Sequence, residues 1–173
     1  MIGKIQGNIV DILYAPLSAG EVTIAITLAS VTRSIMISFI SICIFKIFID
    51  LEIKNYFTLI AFTFLASFIL GALGIVAGLW AEKFDHMATV TNFIIIPLSF
   101  LSGTFYTIDK LPGYLQIISK ANPFFYMIDG FRYSFIKQSD GSLTVGLIYL
   151  SVLSLIIWIA AYLLYKKGYK IKS

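Results

Sequence analysis

The chain has 173 residues, of which 59% are hydrophobic and only 13% charged, and its formal net charge is +4. Soluble domains are roughly 45–50% apolar and about 25% charged, so this composition excludes a soluble globular protein, a disordered chain and a nucleic-acid binder that relies on a basic face. Together with a mean hydropathy of +0.92, it predicts a polytopic membrane protein. One cysteine and one histidine give no basis for an internal disulfide or a metal site.

Four apolar stretches are long enough to cross a bilayer, which takes about 20 residues for about 30 Å of hydrocarbon. They predict membrane-spanning helices at 22–49, 55–81, 87–108 and 141–165. Arg33 interrupts the first stretch; it either marks the membrane boundary by snorkelling or is a buried functional charge. The predicted fold class is therefore all-α, a polytopic helical membrane protein with four spans.

The segment 109–140 is too polar to span and too apolar to be disordered. Asn122 followed by Pro123 is typical of a helix N-cap with proline at the first helical position, and Pro112 could start a shorter helix in the same way. Aromatic residues are frequent here, as is typical of a membrane interface. We therefore expect two short extracellular helices that are re-entrant or interfacial.

The lysines at the C-terminal end predict the orientation in the membrane. An even number of spans puts both ends on one side, and four lysines follow the last span directly, within 166–173. Because positive residues are enriched in cytoplasmic segments, both termini are predicted to be cytoplasmic, with 166–173 as a cytoplasmic tail.

Hydroxyl residues at helical spacing mark one face of the first span. They include Thr27, Ser30, Ser34, Ser38 and Ser41. The face either packs closely against another helix, with hydroxyls bonded to carbonyls, or forms the wall of a polar pathway.

Two further patterns also allow two interpretations. In the third span, Asn92 and Pro97 either open a polar notch in the pathway or produce a tolerated kink. In the second span, Ser67, Gly71, Gly74 and Gly78 favour close helix association, within the chain or between subunits.

Asp129 and Arg132 are three residues apart, so they can pair on one helix face, with Tyr133 one turn on from Asp129. The pair is either a local ion pair that lowers the cost of burying both charges or part of a gate over the pathway.

Several catalytic and nucleotide-binding motifs are missing from the sequence. It contains no Gly-x-x-x-x-Gly-Lys-[Ser/Thr] loop, no Gly-x-Ser-x-Gly, no His-Glu-x-x-His and no acidic pair within a span. We therefore expect no catalytic residues, no metal site and no ATP site in this chain. Transport against a gradient would need energy from another polypeptide.

Two stretches resemble the type-2 ATP-binding-cassette (ABC-2) exporter permeases. The segment 6–18, QGNIVDILYAPLS, is similar to the cytoplasmic segment that precedes a membrane helix in this family. The second stretch, which runs from 100–112, FLSGTFYTIDKLP, on to 122–133, NPFFYMIDGFRY, looks like the family's extracellular signature. The resemblance covers essentially the whole chain, 1–173, as a single permease domain, and favours the drug or lipid exporter branch.

The resemblance implies a transport subunit in the bacterial plasma (inner) membrane that moves an amphipathic drug- or lipid-like substrate outward by alternating access. The implied partners are a cytoplasmic ABC ATPase, a second permease copy in a homodimer or heterodimer, and the lipid bilayer, but no nucleic acid. ATP and Mg would be bound by the ATPase, and no cofactor by this chain.

Residue roles carry over from the family to two segments. The segment 1–21 is the expected coupling segment that docks on the ATPase, with Gly7, Asp11, Leu13, Pro16, Leu17 and Ser18. The family's extracellular re-entrant helices carry over to 111–137, within the segment 109–140, with Asn122, Pro123, Asp129 and Arg132 at the signature positions. These four residues and Tyr133 are the expected extracellular gate residues.

The chain departs from the family in its number of spans. Family members usually have six, and this chain begins just before what would be the third. An inactive C-terminal fragment of such a permease therefore stays open as an alternative. A second alternative, from another class of function, is a membrane-embedded lipid-modifying enzyme.

Overall fold

The computed structural model describes residues 17–104 and 112–169, and within these ranges the regular structure is helical, without a β-strand. The helices in chain order are α1 (Ala19–Phe48), α2 (Tyr56–Trp80), α3 (Phe84–Val90), a π-helix (Thr91–Ile95), α4 (Ile96–Phe100), α5 (Gly113–Ala121), α6 (Pro123–Ile136) and α7 (Leu143–Lys166). The all-α prediction is confirmed.

Three helices, α1, α2 and α7, are long and apolar enough to cross a membrane. Each lies within a few residues of its predicted span. Their starts follow from local capping chemistry: Ser18 and Glu21 form a capping box at α1, and the Asn55 side chain accepts a hydrogen bond from the Thr58 N–H at α2.

The third predicted span, 87–108, corresponds to a helix that begins and ends earlier and is not uniform. It consists of α3, the π-helix and α4, which follow one another without a break from 84 to 100. After Phe100 the chain turns through Gly103, which has a φ of +78°, a conformation that suits glycine. The continuous helix therefore ends at Phe100, and the predicted residues 105–108 lie outside the described part of the chain.

The two short helices predicted within 109–140 are present as α5 and α6. Asn122 caps α6 by accepting a hydrogen bond from the Phe124 N–H, and Pro123 occupies the first turn, as predicted. Pro112 stands at the N-cap of α5, immediately before the helix. Helix α6 ends at Lys137, whose φ of +56° gives a left-handed C-cap.

Helix α2 lies at the centre of the bundle and packs against α1, α6 and α7. The main core joins α2, α6 and α7 and comprises Phe62, Ile69, Phe124, Met127 and Leu150. A second cluster joins the ends of α2 and α7 through Ile75, Leu79 and Ala161. We call the end of the bundle that holds this second cluster the tail end, and the end at which α2 and α7 begin the hairpin end.

Helices α2 and α7 run parallel, so the chain between them must return from the tail end to the hairpin end. The segment 84–100 makes this return. The His86 ring contacts the Trp80 ring at the tail end in a tilted arrangement, with ring centroids 5.3 Å apart. The Leu98 carbonyl accepts a hydrogen bond from Asn122 near the hairpin end. None of the residues of α3, the π-helix and α4 is buried, so this segment is held mainly at its two ends.

Candidate functional site

Helices α5 and α6 form a hairpin that dips into the bundle. Its tip, Ala121 and Asn122, lies against residues within the neighbouring helices: the Tyr149 hydroxyl donates to the Ala121 carbonyl at 2.9 Å, and the Asn122 amide donates to the Leu98 carbonyl at 2.6 Å. Tyr149 is six residues into α7, which corresponds to a depth of about 9 Å at 1.5 Å per residue. The pair of helices has the shape of a re-entrant hairpin.

Asn122 makes two hydrogen bonds with different roles. Its side-chain oxygen caps α6 by accepting from the Phe124 N–H at 3.0 Å, while its amide nitrogen reaches the carbonyl of Leu98 in the last turn of α4. The last carbonyls of a helix lack partners within the helix, so Asn122 satisfies both helix ends and joins the hairpin to the segment 84–100.

Asp129 fixes the other end of the hairpin. It is only 2% exposed and accepts backbone hydrogen bonds from Asp140 at 2.8 Å and Gly141 at 3.0 Å. It also pairs with Arg132 at 2.8 Å, which confirms the predicted ion pair. These contacts attach α6 to the turn that precedes α7, and the pair is therefore not merely local.

Arg132 bridges two carboxylates. Its Nη2 atom lies 2.8 Å from Asp129 and 2.7 Å from Asp140. Burial lowers the pKa of Arg132, but its hydrogen bonds and charge interactions with the two carboxylates outweigh this effect and raise its pKa above the ordinary value. The guanidinium is therefore held in the charged form within a compact group of three charges.

Close packing also holds α6 in place. A Cβ atom on Gly130 would fall on the Phe62 ring of α2, and one on Gly146 of α7 would come within 3.0 Å of Tyr126. Two glycines, neither of them predicted from the sequence, thus let α6 pack tightly between α2 and α7. Tyr133, predicted as a gate residue, is half-buried on the same helix.

The hydroxyl face of α1 has two parts with different surroundings. In the first part, Thr27 donates to the Thr23 carbonyl at 2.7 Å and Ser30 to the Thr27 carbonyl at 2.9 Å. Here the face packs against Gly71 of α2, where an added Cβ would fall on the Ser30 hydroxyl.

In the second part, Ser38 and Ser41 line cavities between α1 and α6, and Ser34 is half-buried between the two parts. One cavity, of about 480 Å³, lies between α1, α6 and Leu51. The other, of about 290 Å³, lies between α1, α2 and α6. Asn92, the remaining predicted pathway residue, is exposed on the π-helix and lines neither cavity.

Most of the predicted coupling residues, Gly7, Asp11, Leu13 and Pro16, lie outside the described residues. Of the other two, Leu17 is exposed and Ser18 caps α1. Among the described residues, no group of three or more His, Cys, Asp or Glu side chains is placed to hold a metal ion.

Comparison with known proteins identifies related sequences. The profile of a family described as "ABC-2 type transporter" matches residues 2–136. The chain is also similar to proteins named "Inner membrane transport permease YadH" from Escherichia coli K12 and Shigella flexneri, with 29% identity over 171 residues in each case. These matches cover 98% of the chain but 66% of each relative, just under two thirds of their length. No solved structure gives a significant match.

Proposed function

The chain belongs to the ABC-2 type transporter family, and from this premise we propose that it is a transmembrane subunit of an ABC exporter. It moves an amphipathic drug- or lipid-like molecule outward across the inner membrane by alternating access. The energy comes from ATP and Mg bound by a separate cytoplasmic ATPase. A second permease copy completes the pathway.

The observation that carries this proposal is the extent of the family match. It covers residues 2–136, which include all but the first residue of the expected coupling segment at 1–21 and the whole hairpin formed by α5 and α6. The names of the relatives, inner membrane transport permeases, support the same membrane and the same class of activity.

The geometry is compatible with this role. A hairpin that dips into the bundle and is tied to α4, α7 and the α6–α7 turn is suited to gating a pathway at one end. The cavities beside Ser38 and Ser41 are largely apolar with a few polar groups, which suits an amphipathic molecule. With both termini in the cytoplasm, the segment 1–21 would lie on the side of the ATPase.

Capture of the ATPase tests the proposal. The full chain is purified in mild detergent from its native membrane, and co-purifying proteins are identified by mass spectrometry. We expect an ATPase with a phosphate-binding loop to co-purify with the wild type, and Asp11→Lys to reduce its recovery by about tenfold or more, which corresponds to roughly 1.4 kcal/mol of binding.

Asp50→Lys is the matched control, because it makes the same charge change at an exposed residue just beyond the other end of α1. It should leave recovery of the ATPase unchanged. Recovery of no ATPase with the wild type would contradict the proposed function, and lipid-modifying activity in such a preparation would support a membrane-embedded enzyme instead. Equal recovery with both variants would contradict only the coupling assignment of Asp11.

A further inference from the structure

The two halves of the segment 84–100 are attached to different parts of the molecule. Helix α3 contacts the end of α2, and the turn between them is held by the Glu82 backbone N–H, which donates to Nδ1 of His86 at 3.3 Å. Helix α4 contacts α6 instead, and its Leu98 carbonyl accepts the hydrogen bond from Asn122. Helix α3 is therefore joined to the tail end, and α4 to the hairpin.

The backbone hydrogen bonds between these two halves are interrupted. In the π-helix the Ile96 N–H donates to the Thr91 carbonyl, five residues back, where an α-helix would bond four residues back. The next residue, Pro97, has no N–H, so a carbonyl one turn earlier receives no bond from it. The Thr91 hydroxyl also donates to the Met87 carbonyl at 3.0 Å, a contact that often bends helices. Since sharp helix kinks occur at prolines and π-helices, this segment bends most easily at 91–97.

Few contacts oppose such a bend. None of the residues of α3, the π-helix and α4 is buried, and Ile95 and Leu98 are half-buried against the main core. A kink of about 20° at Thr91, acting over the seven residues or about 10 Å to Leu98, would move Leu98 by about 3–4 Å. This is further than a hydrogen bond can stretch.

The tip of the hairpin is linked both to this moving half and to α7. The Asn122 amide donates to the Leu98 carbonyl at 2.6 Å, and the Tyr149 hydroxyl donates to the Ala121 carbonyl at 2.9 Å. A tip that follows Leu98 through 3–4 Å must break the bond to Tyr149, because α7 is packed along α2. The Tyr149 hydroxyl therefore holds the tip in the position seen in this structure.

We propose that the segment 84–100 is hinged at 91–97. Helix α4 and the tip of the hairpin swing together about this hinge, while α3 stays packed on the end of α2, and the Tyr149 hydroxyl holds the unbent position. The hinge is a property of this chain and does not rest on the proposed transport function.

Double electron–electron resonance on the full chain in lipid nanodiscs tests the hinge. In a Cys43→Ala background, spin labels at Asp85→Cys and Lys120→Cys span the hinge, and labels at Asp85→Cys and Lys167→Cys form a pair at the tail end; all three positions are exposed. Labelled chains are diluted with unlabelled protein, so that only distances within one chain are measured. We expect Pro97→Ala, which restores the N–H donor, to narrow the distance distribution across the hinge by about 3–4 Å and to leave that of the tail-end pair unchanged.

Thr89→Ala is the matched control. The Thr89 hydroxyl also donates to a carbonyl of its own helix, that of Asp85, at 2.8 Å, but it lies in α3 outside the hinge. This variant should leave both distributions unchanged. Tyr149→Phe removes only the hydroxyl that holds the tip, so it should widen the distribution across the hinge. Circular dichroism verifies that each variant keeps its helix content.

A further variant tests whether the tip moves through Leu98. Serine is also a good N-cap, so Asn122→Ser keeps the cap of α6, but its side chain is too short to reach the Leu98 carbonyl. In this background Pro97→Ala should no longer narrow the distribution across the hinge.

Three results would overturn the proposal. Equal distributions for Pro97→Ala and Thr89→Ala would show that the segment does not bend at 91–97. Narrowing that persists in the Asn122→Ser background would show that the tip does not move with α4, and an unchanged distribution in Tyr149→Phe would show that this hydroxyl does not hold the tip. The distances are measured without the ATPase, so these outcomes are independent of ATPase capture.

Discussion

At the scale of single residues, Asp129 joins α6 to the turn before α7. We expect Asp129→Asn to lower the free energy of unfolding by about 2–4 kcal/mol. The amide keeps the shape of the side chain but loses its charge, so its pairing with Arg132 is weaker. Its own N–H group also replaces one of the two carboxylate oxygens, so the backbone N–H of Asp140 or of Gly141 loses its acceptor. Unfolding in detergent, followed by circular dichroism during titration with a denaturing detergent, measures the change.

Asp85→Asn is the control for this substitution. Asp85 is exposed in the first turn of α3, so its change should stay within about 0.5 kcal/mol. Unchanged stability of Asp129→Asn would show that the hydrogen bonds of Asp129 do not hold the hairpin, and would favour a role in gate movement over a structural role.

The same residues show what sequence spacing can and cannot predict. Asp129 and Arg132 are three apart on one helix, so their pairing follows from helix geometry alone. The contacts with Asp140 and Gly141 depend on the left-handed C-cap at Lys137 and on the turn that follows it. A partner eleven or twelve residues away across a turn is not determined by helix periodicity, and this part of the site therefore required the structure.

At the scale of helices, Gly130 decides how closely α6 approaches α2. We expect Gly130→Ala to reduce the free energy of unfolding by about 1–3 kcal/mol, because the added Cβ falls on the buried Phe62 ring and the core has to move. Unfolding of the purified variant in detergent is the measurement.

Gly74→Ala provides the contrast. A Cβ on Gly74 of α2 would meet no atom within 4 Å, and alanine favours a helix over glycine by up to about 1 kcal/mol, so this variant should be as stable as the wild type or more so. If the two alanine variants lost equal stability, close approach at Gly130 would not be the cause.

The predicted glycine pattern of α2 marked a packing face but not its partners. Gly71 does contact another helix, through Ser30 of α1, whereas Gly74 is open. The small-residue spacing identifies a face on which helices could approach, but the partner depends on the tertiary arrangement of α1, α2 and α6. For the same reason the pattern could not distinguish an internal contact from a contact between subunits.

At the scale of the whole molecule, hydropathy predicted the long helices because a bilayer imposes a minimum apolar length on each of them. Hydropathy was less accurate for the third predicted span, 87–108, because the apolar sequence continues past the end of the helical segment 84–100. The hydropathy of these residues does not indicate the turn at Gly103 or the π-helix. It also could not show that α2 and α7 pack in parallel, an arrangement that requires the segment 84–100 to run the length of the bundle.

Cysteine labelling tests whether α7 crosses the membrane and in which direction. In a Cys43→Ala background, which removes the single native cysteine, Ser139→Cys and Lys167→Cys place thiols at exposed residues of the α6–α7 turn and the end of α7. We expect a membrane-impermeant maleimide to label Ser139→Cys in spheroplasts prepared from intact cells, and Lys167→Cys only after the membrane is permeabilised, because the lysines after α7 favour the cytoplasm. The reverse result would put these lysines outside and remove the segment 1–21 from the side of the ATPase. Labelling of both from outside would mean that α7 does not cross the membrane.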